Sequence, residues 1–301
     1  MDAIVRVEHL VKSYGDIKAV NDISFLVRRG SLFAFLGPNG AGKSTTINVM
    51  TTLLNADSGQ VYLNEKTDDA YFREKMGVVF QGNVLDDDLT VKENLIYRGA
   101  LYLNDKQAVK KRYVELAAYL NLTEIENQRF KTLSGGQKRR TEIARALFSN
   151  PEILLLDEPT TGLDPETRQI VWKVIEDLQK NQGMTIFLTT HYMEEAANAD
   201  HVVIINKGKI VAEGTPAQLK DRYSQDRLKI VAHDKQKMIS WLEENKRPYQ
   251  KIADQYVIPV EDSQEAIKII ETIKTNIRQF EMIQGTMDDV FIEVIGGENH
   301  A

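Results

Sequence analysis

The stretch SLFAFLGPNGAGKST, residues 31–45, places an apolar run directly before a glycine-rich loop and the start of a predicted helix. Residues 37–45 match the pattern G-x-x-x-x-G-K-[ST], and the flanking strand and helix are the context that this pattern needs. Gly37, Gly40 and Gly42 allow a tight curl whose amides point at phosphate oxygens, and the helix from Lys43 adds the positive end of its dipole. The stretch predicts a phosphate-binding loop; the alternative is a chance glycine turn before a helix.

A second apolar run, ILLLDEP at 153–159, ends in two carboxylates. In a nucleotide-hydrolysing enzyme with such a loop, Lys43 reaches the β- and γ-phosphates and Ser44 supplies an oxygen to Mg²⁺. Asp157 stands where an acid holds the metal, and Glu158 is placed to polarise the attacking water. The alternative is an acidic strand end that caps a loop, and it loses weight beside the phosphate loop.

Three further polar residues are candidates for the site, and two of them end strand-like segments. Gln81 ends GVVFQ and His191 ends TIFLTTH. Ligands in α/β folds lie at the carboxyl ends of strands, which favours functional roles for both, although each can also be structural. Asp164, in TGLDP, has two open interpretations: a functional acid, or the N-cap of the following helix.

The segment LSGGQKRR, residues 133–140, predicts a second anion site about ninety residues after the phosphate loop. Ser134, Gly135 and Gly136 open a predicted helix, with Gln137 next, so their amides and the helix dipole face outward. The three cations at 138–140 point in different directions on a helix. At most one or two of them add to this field, and the others are expected to pair with surface acids.

Composition limits the classes of function. The chain has 301 residues, a net charge of −6 and no cysteine. These values exclude disulfides and thiolate metal sites and argue against a primary nucleic-acid binder. The N-terminus does not have the pattern of a signal peptide, and no apolar run approaches the roughly 18 residues that cross a bilayer. If the protein acts at a membrane, another chain must supply the crossing.

Strands that alternate with helices predict an α/β core with parallel strands over residues 1–218. An antiparallel β region comes first, and a helical subdomain covers about 83–150, where Thr90 and Glu93 form a candidate capping box. The character changes near Leu219. Residues 227–295 then give the order β-α-β-β-α-β and end in a short helix, which predicts a small ferredoxin-like α+β domain over residues 219–301.

Taken together, these motifs resemble the ATP-binding-cassette (ABC) ATPases, the nucleotide-binding subunits of ABC transporters. The matching residues occur in the family's order over residues 1 to about 218: Tyr14, GPNGAGKST, Gln81, LSGGQ, ILLLDEP, GLD at 162–164, and His191. The tail MDDVFIEVIGG, residues 287–297, is similar to the ending of drug-export ATPases of the daunorubicin-resistance type. Met287 and Asp288 depart from the commoner leucine and glutamate of that ending.

The resemblance implies a role for each matching residue. Tyr14 would stack on adenine, Gln81 would sense the γ-phosphate, Glu158 would be the general base, His191 would position phosphate and water, and Asp164 would communicate across a dimer. ATP and Mg²⁺ would be held by a wider set: Gly37, Pro38, Asn39, Gly40, Ala41, Gly42, Lys43, Ser44, Thr45, Gln81 and Asp157 in one chain, and Ser134, Gly135, Gly136 and Gln137 from a partner.

The resemblance also implies the partners. Two cassettes, expected to be a homodimer, would meet head to tail beneath separate transmembrane permease subunits, at the cytoplasmic face of the membrane and without nucleic acid. The second domain would serve regulation or dimerisation. The competing hypothesis is a soluble ABC ATPase that acts on ribosomes or DNA repair, although such proteins usually carry two cassettes or a long coiled coil. A nucleotide-binding protein without turnover is the third possibility.

Overall fold

In a computed structural model that describes residues 2–296, the alternating strands and helices form two units, Met1–Thr215 and Pro216–Ala301. The first unit contains the strands β1 (Ala3–Tyr14), β2 (Ile17–Arg28), β3 (Leu32–Leu36), β4 (Ser58–Leu63), β5 (Met76–Val79), β6 (Ile153–Asp157), β7 (Thr185–Thr190), β8 (His201–Asn206) and β9 (Lys209–Gly214). Its helices are α1 (Lys43–Met50), α2 (Asp69–Lys75), α3 (Val91–Gly99), α4 (Lys106–Tyr119), α5 (Gly135–Ala146), α6 (Pro165–Lys180) and α7 (Met193–Ala196).

The central sheet of the first unit has the strand order β5-β6-β7-β3-β8-β9. Its pairs are parallel except β8–β9, a hairpin that turns at Lys207 and Gly208 with positive φ at both residues. β3, β6 and β7 are buried along their whole length, which explains their continuous apolar runs. The parallel core predicted from the sequence is confirmed, and β3, β5, β6 and β7 all end at one edge.

A smaller antiparallel sheet, β2-β1-β4, packs against the central sheet of the first unit. Phe25 of β2 contacts Phe33, Phe35 and Phe187 with ring centroids 5.4–5.9 Å apart. These rings form part of one hydrophobic core that joins the two sheets. α3, α4 and α5 form the helical part of the unit, and α3 begins with the expected capping box of Thr90 and Glu93.

The second unit contains α8 (Pro216–Tyr223), β10 (Asp226–Ala232), α9 (Lys235–Glu244), β11 (Gln250–Ile252), β12 (Gln255–Val260), α10 (Ser263–Ile273), β13 (Ile277–Ile283) and α11 (Met287–Gly296). Its antiparallel sheet has the order β11-β12-β10-β13, as in ferredoxin-like folds. The expected β-α-β-β-α-β order is confirmed. Gly297, the last residue of the tail pattern, lies outside the described residues. Within residues 2–296, every helix is too short or too polar to span a membrane.

Candidate active site

The phosphate loop connects β3 to α1 and is held tightly by the chain around it. A Cβ on Gly37 would lie 2.4 Å from the carbonyl oxygen of Ile205. One on Gly42, where φ is 110°, would lie 2.3 Å from the carbonyl oxygen of Ala19. Glycine is therefore required at both positions for steric reasons.

Lys43 is buried and turns back into the loop. Its Nζ donates to the carbonyl oxygens of Gly37 at 2.8 Å and Pro38 at 3.2 Å. Ser44 and Thr45 follow in the first turn of α1. The loop thus presents a cation, amides and hydroxyls within one short segment, which suits a polyphosphate.

Asp157 ends β6 opposite this helix start. Its Oδ1 lies 3.3 Å from the Ser44 hydroxyl and accepts a hydrogen bond of 2.5 Å from the Thr189 hydroxyl. Thr189 belongs to the neighbouring strand β7, where it pairs with Asp157, and it is completely buried. Its hydroxyl also accepts from the Glu158 amide at 3.0 Å. Thr189 therefore orients both acids, a role that the sequence did not indicate.

The carboxylate of Glu158 is where most of the predicted residues meet. Its oxygens lie 3.2 Å from Lys43 Nζ, 3.2 Å from Gln81 Nε2 and 3.4 Å from His191 Nδ1, and one accepts from the Thr161 hydroxyl at 3.1 Å. Gln81 thus lies against Glu158, while Ser44 and Asp157 form a separate pair. The structure brings residues 43, 81, 158 and 191 together from four separate segments.

The charge state of Glu158 follows from these contacts. Burial alone would raise the pKa of its carboxyl, but the Lys43 ammonium, the Thr161 hydroxyl and the nearby His191 together bring the pKa below its ordinary value. The side chain is therefore ionised at neutral pH and can accept a proton. Its backbone has φ 46°, a strained conformation that persists only because the surroundings fix it.

Tyr14 ends β1, opposite Ile17 in the hairpin, and is 50% exposed. The carbonyl oxygen of Ala19, two residues further along β2, touches the phosphate loop at Gly42. The hairpin end therefore borders the loop, with an aromatic ring open to solvent. Its contact with adenine stays a prediction.

The segment LSGGQ forms a helix start, as expected. Ser134 is the N-cap of α5: its hydroxyl accepts from the Gln137 amide at 3.3 Å, and Gln137 Oε1 accepts from the Ser134 amide at 2.9 Å. A Cβ on Gly135 would meet Leu163 at 2.7 Å, and one on Gly136 would meet Thr167 at 2.5 Å. The two glycines let α5 pack closely against the start of α6.

Asp164 is the N-cap of α6, because its Oδ1 accepts from the Thr167 amide at 3.0 Å. This hydrogen bonding lowers the pKa of the Asp164 carboxyl. The capping interpretation therefore describes its contacts within one chain, while a role between two chains stays a prediction.

The expectation that surplus cations after LSGGQ pair with surface acids is wrong. Lys138 Nζ lies 5.4 Å from the ring centroid of Phe130. Arg139 is buried and donates to three backbone carbonyls, and Arg140 donates to the carbonyl oxygen of Leu120 at 2.9 Å. In the described part of the chain, backbone oxygens and an aromatic ring take the place of surface carboxylates, since α5 packs inside the unit.

Comparison with known proteins adds family evidence to this geometry. The family model for the ABC transporter matches residues 20–161, and the model for the C-terminal domain of ATP-binding proteins like DrrA1-3 matches residues 214–295. The doxorubicin resistance ATP-binding protein DrrA of Mycobacterium tuberculosis is 39% identical over 239 residues, 77% of this chain and 72% of that protein. The linearmycin resistance ATP-binding protein LnrL of Bacillus subtilis is 40% identical over 228 residues, 74% of this chain and 73% of that protein.

Solved structures agree with the sequence matches. The structure of cbiO1 from Clostridium perfringens, part of the ABC transporter complex cbiONQ, has a TM-score of 0.68 and 30% identity, and covers 73% of this chain and 91% of that one. A dimeric post-hydrolysis state of the ATP-binding cassette MJ0796 bound to ADP and Pi has a TM-score of 0.63 and 29% identity. It covers 70% of this chain and 98% of that one.

Proposed function

This chain belongs to the ABC transporter family of ATP-binding proteins, and we propose that two copies of it meet head to tail to complete each ATP site. As a family member it binds and hydrolyses ATP and powers export by a separate membrane permease. The observation that carries the hydrolytic mechanism is the surroundings of Glu158, a buried, ionised carboxylate in contact with Lys43, Gln81 and His191.

The chemistry follows from these contacts. Phosphate oxygens in the loop compete with Glu158 for Lys43 and release the carboxylate toward the attacking water. Glu158 accepts a proton from that water while the water oxygen forms a bond to the γ-phosphorus. The bond between the γ-phosphorus and the leaving oxygen of ADP breaks in the same step. Gln81 and His191 flank the carboxylate and would orient the water and the phosphate.

The residues present fit Mg²⁺. Ser44 Oγ and Asp157 Oδ1 lie 3.3 Å apart and are oxygen donors of the kind that Mg²⁺ prefers. No cluster of three or more histidine or acidic residues suited to a metal occurs within residues 2–296, so phosphate oxygens and water would complete the shell. When bound, Mg²⁺ would neutralise charge on the β- and γ-phosphates.

The second copy is suggested by α5. Ser134 caps the amide of Gln137, but the amides of Gly135 and Gly136 in the first turn have no partner within the helix, in a chain that already has a phosphate loop. Two-fold symmetry would place this helix start of each chain over the phosphate loop of the other. The dimer would then work under the permease at the cytoplasmic face of the membrane.

Measurements of phosphate release by two variants distinguish the phosphate loop's role in nucleotide binding from the role of α5 in the contact between chains. Lys43→Ala should lose turnover together with tight nucleotide binding, because it removes the cation at the centre of the loop. Ser134→Arg should lose turnover by about 10²-fold or more while each chain still binds nucleotide, because it blocks the contact between chains and, although it also removes the N-cap of α5, leaves the phosphate loop unchanged. Normal phosphate release by the Ser134 variant would contradict the two-chain site.

A further inference from the structure

Arg139 lies on α5, five residues after the N-cap Ser134, and only 8% of it is exposed. Its guanidinium makes three hydrogen bonds, each to a backbone carbonyl oxygen. Nε donates to Pro159 at 2.6 Å, Nη1 to Phe80 at 2.7 Å and Nη2 to Glu158 at 2.9 Å. A planar guanidinium donates in fixed directions, so these three carbonyls are held in one arrangement.

The three carbonyls belong to the two segments that carry the hydrolytic residues. The Phe80 carbonyl is part of the peptide that leads into Gln81. The carbonyls of Glu158 and Pro159 lie directly after the proposed base. Gln81 Nε2 in turn lies 3.2 Å from the Glu158 carboxylate, so Arg139 fixes the backbone on both sides of that contact.

The backbone of Glu158 needs such restraint. It has a positive φ, which a side chain of this kind adopts only when its surroundings impose it. The amide of Glu158 is held from one side by the hydroxyl and the carbonyl of Thr189. The carbonyl of Glu158 is held from the other side by Arg139.

Specific neighbours offset the cost of burying the Arg139 cation. Desolvation lowers the pKa of Arg139, and the charges of Glu142, Asp157 and Glu195 act against that shift. A buried guanidinium is retained only where acceptors and counter-charges surround it. Its acceptors here are the carbonyls of the catalytic segments.

We propose that Arg139 is a positioning residue for hydrolysis, which holds Gln81 and Glu158 in register through their backbone and ties them to the helix that begins at Ser134. If the start of α5 binds the nucleotide of the partner chain, as the proposed function states, that contact is transmitted through Arg139 to the general base Glu158 of the same chain. The dimeric part of this inference rests on the proposed function; the positioning part concerns one chain.

The test uses the full-length chain with Arg139→Met and, as the matched control, Arg140→Met. Both arginines are on α5, and burial lowers the pKa of both. Arg140, however, donates to the carbonyls of Leu120 and Asn121, at the end of α4. We expect Arg139→Met to lower kcat by about 10²-fold, the loss that a 1 Å misplacement can cause. Arg140→Met should stay within about threefold of wild type.

Two further readouts separate positioning from simple loss of structure. The affinity of the Arg139 variant for a non-hydrolysable ATP analogue should change by less than about threefold, since Arg139 does not touch the phosphate loop. The combination of Arg139→Met with Gln81→Ala should lose little more kcat than the worse single variant, because both disturb one unit. A merely structural role would make the two losses multiply.

Arg139→Lys covers the case in which Arg139→Met does not fold. A lysine keeps the charge but cannot hold three carbonyls in a planar fork, so we expect kcat to fall about tenfold with unchanged analogue affinity. Wild-type kcat in either Arg139 variant, an equal loss in Arg140→Met, or multiplying losses with Gln81→Ala would overturn the role of Arg139. A wild-type chain that releases no phosphate would contradict the proposed function instead.

Discussion

Thr189 offers the sharpest perturbation of the acidic pair, because one buried hydroxyl serves both acids. It donates to Asp157 Oδ1 at 2.5 Å and accepts from the Glu158 amide at 3.0 Å. Thr189→Val keeps the shape of the side chain and removes the hydroxyl. The Glu158 amide retains the Thr189 carbonyl at 3.2 Å, so the lost interaction is chiefly the one to Asp157.

The magnitude follows from that single loss. A hydrogen bond to a charged group contributes about 1.5–3 kcal/mol, and a buried acceptor left without its donor costs a similar amount. We therefore expect the first unit to lose about 2 kcal/mol, a fall in Tm of about 4–8 °C for a domain of this size. Loss of an interaction that orients a metal ligand typically costs 10–100-fold in metal affinity or activity.

The assay is phosphate release as a function of Mg²⁺ concentration at fixed ATP. The variant should need about 10–100-fold more Mg²⁺ for half-maximal rate. Thr185→Val is the matched control: Thr185 is on the same strand, equally buried, and its hydroxyl accepts from the Gly30 amide at 2.9 Å. It should lower Tm without changing the Mg²⁺ dependence. Unchanged Mg²⁺ dependence in Thr189→Val, or the same shift in Thr185→Val, would show that the Thr189 hydroxyl does not orient Asp157 for Mg²⁺.

Substitutions at three other residues test separate parts of the first unit. Burial raises the pKa of Glu195, so the stability linked to its proton is present at low pH and lost as pH rises through the folded-state pKa. The denaturant midpoint of Glu195→Gln should therefore improve relative to that of wild type as the pH rises above the ordinary carboxyl pKa, and a shift in favour of wild type would contradict this. Gly99→Ala would bring a Cβ to 2.2 Å from the ring of Phe148, so chemical denaturation should show a loss of about 1–3 kcal/mol. Asp164→Ala should lower Tm more than Asp164→Ser, since serine still caps the Thr167 amide; equal Tm values would argue against the cap.

Much of the site could be predicted because its local signals are strong. The phosphate loop needs glycines whose replacement would clash with Ile205 and Ala19, and such a loop between a strand and a helix has few alternative explanations. Asp157 stands at a strand end, where ligands of α/β folds collect, and the strand that carries it is uniformly apolar.

The residues that support the site were less visible, because their roles depend on distant segments. Thr189 lies within TIFLTT, and only the register of β7 with β6 places its hydroxyl against Asp157. The available signal was a hydroxyl side chain at the carboxyl end of a buried strand, which Thr189 shares with Thr190. Arg139 appeared as a surface cation, since the sequence does not show that α5 packs against the segments of Gln81 and Glu158.

The most direct test of the two-chain ATP site is the association state of Glu158→Gln with ATP, measured by sedimentation over a wide range of protein concentration. Glutamine keeps the size of the side chain but cannot accept the proton, so ATP should persist and hold two chains together. The same chain with Ser134→Arg added should remain monomeric, because the contact to the partner's nucleotide is blocked. A Glu158→Gln chain that stays monomeric with ATP at every concentration, or a double variant that dimerises equally well, would contradict the two-chain ATP site.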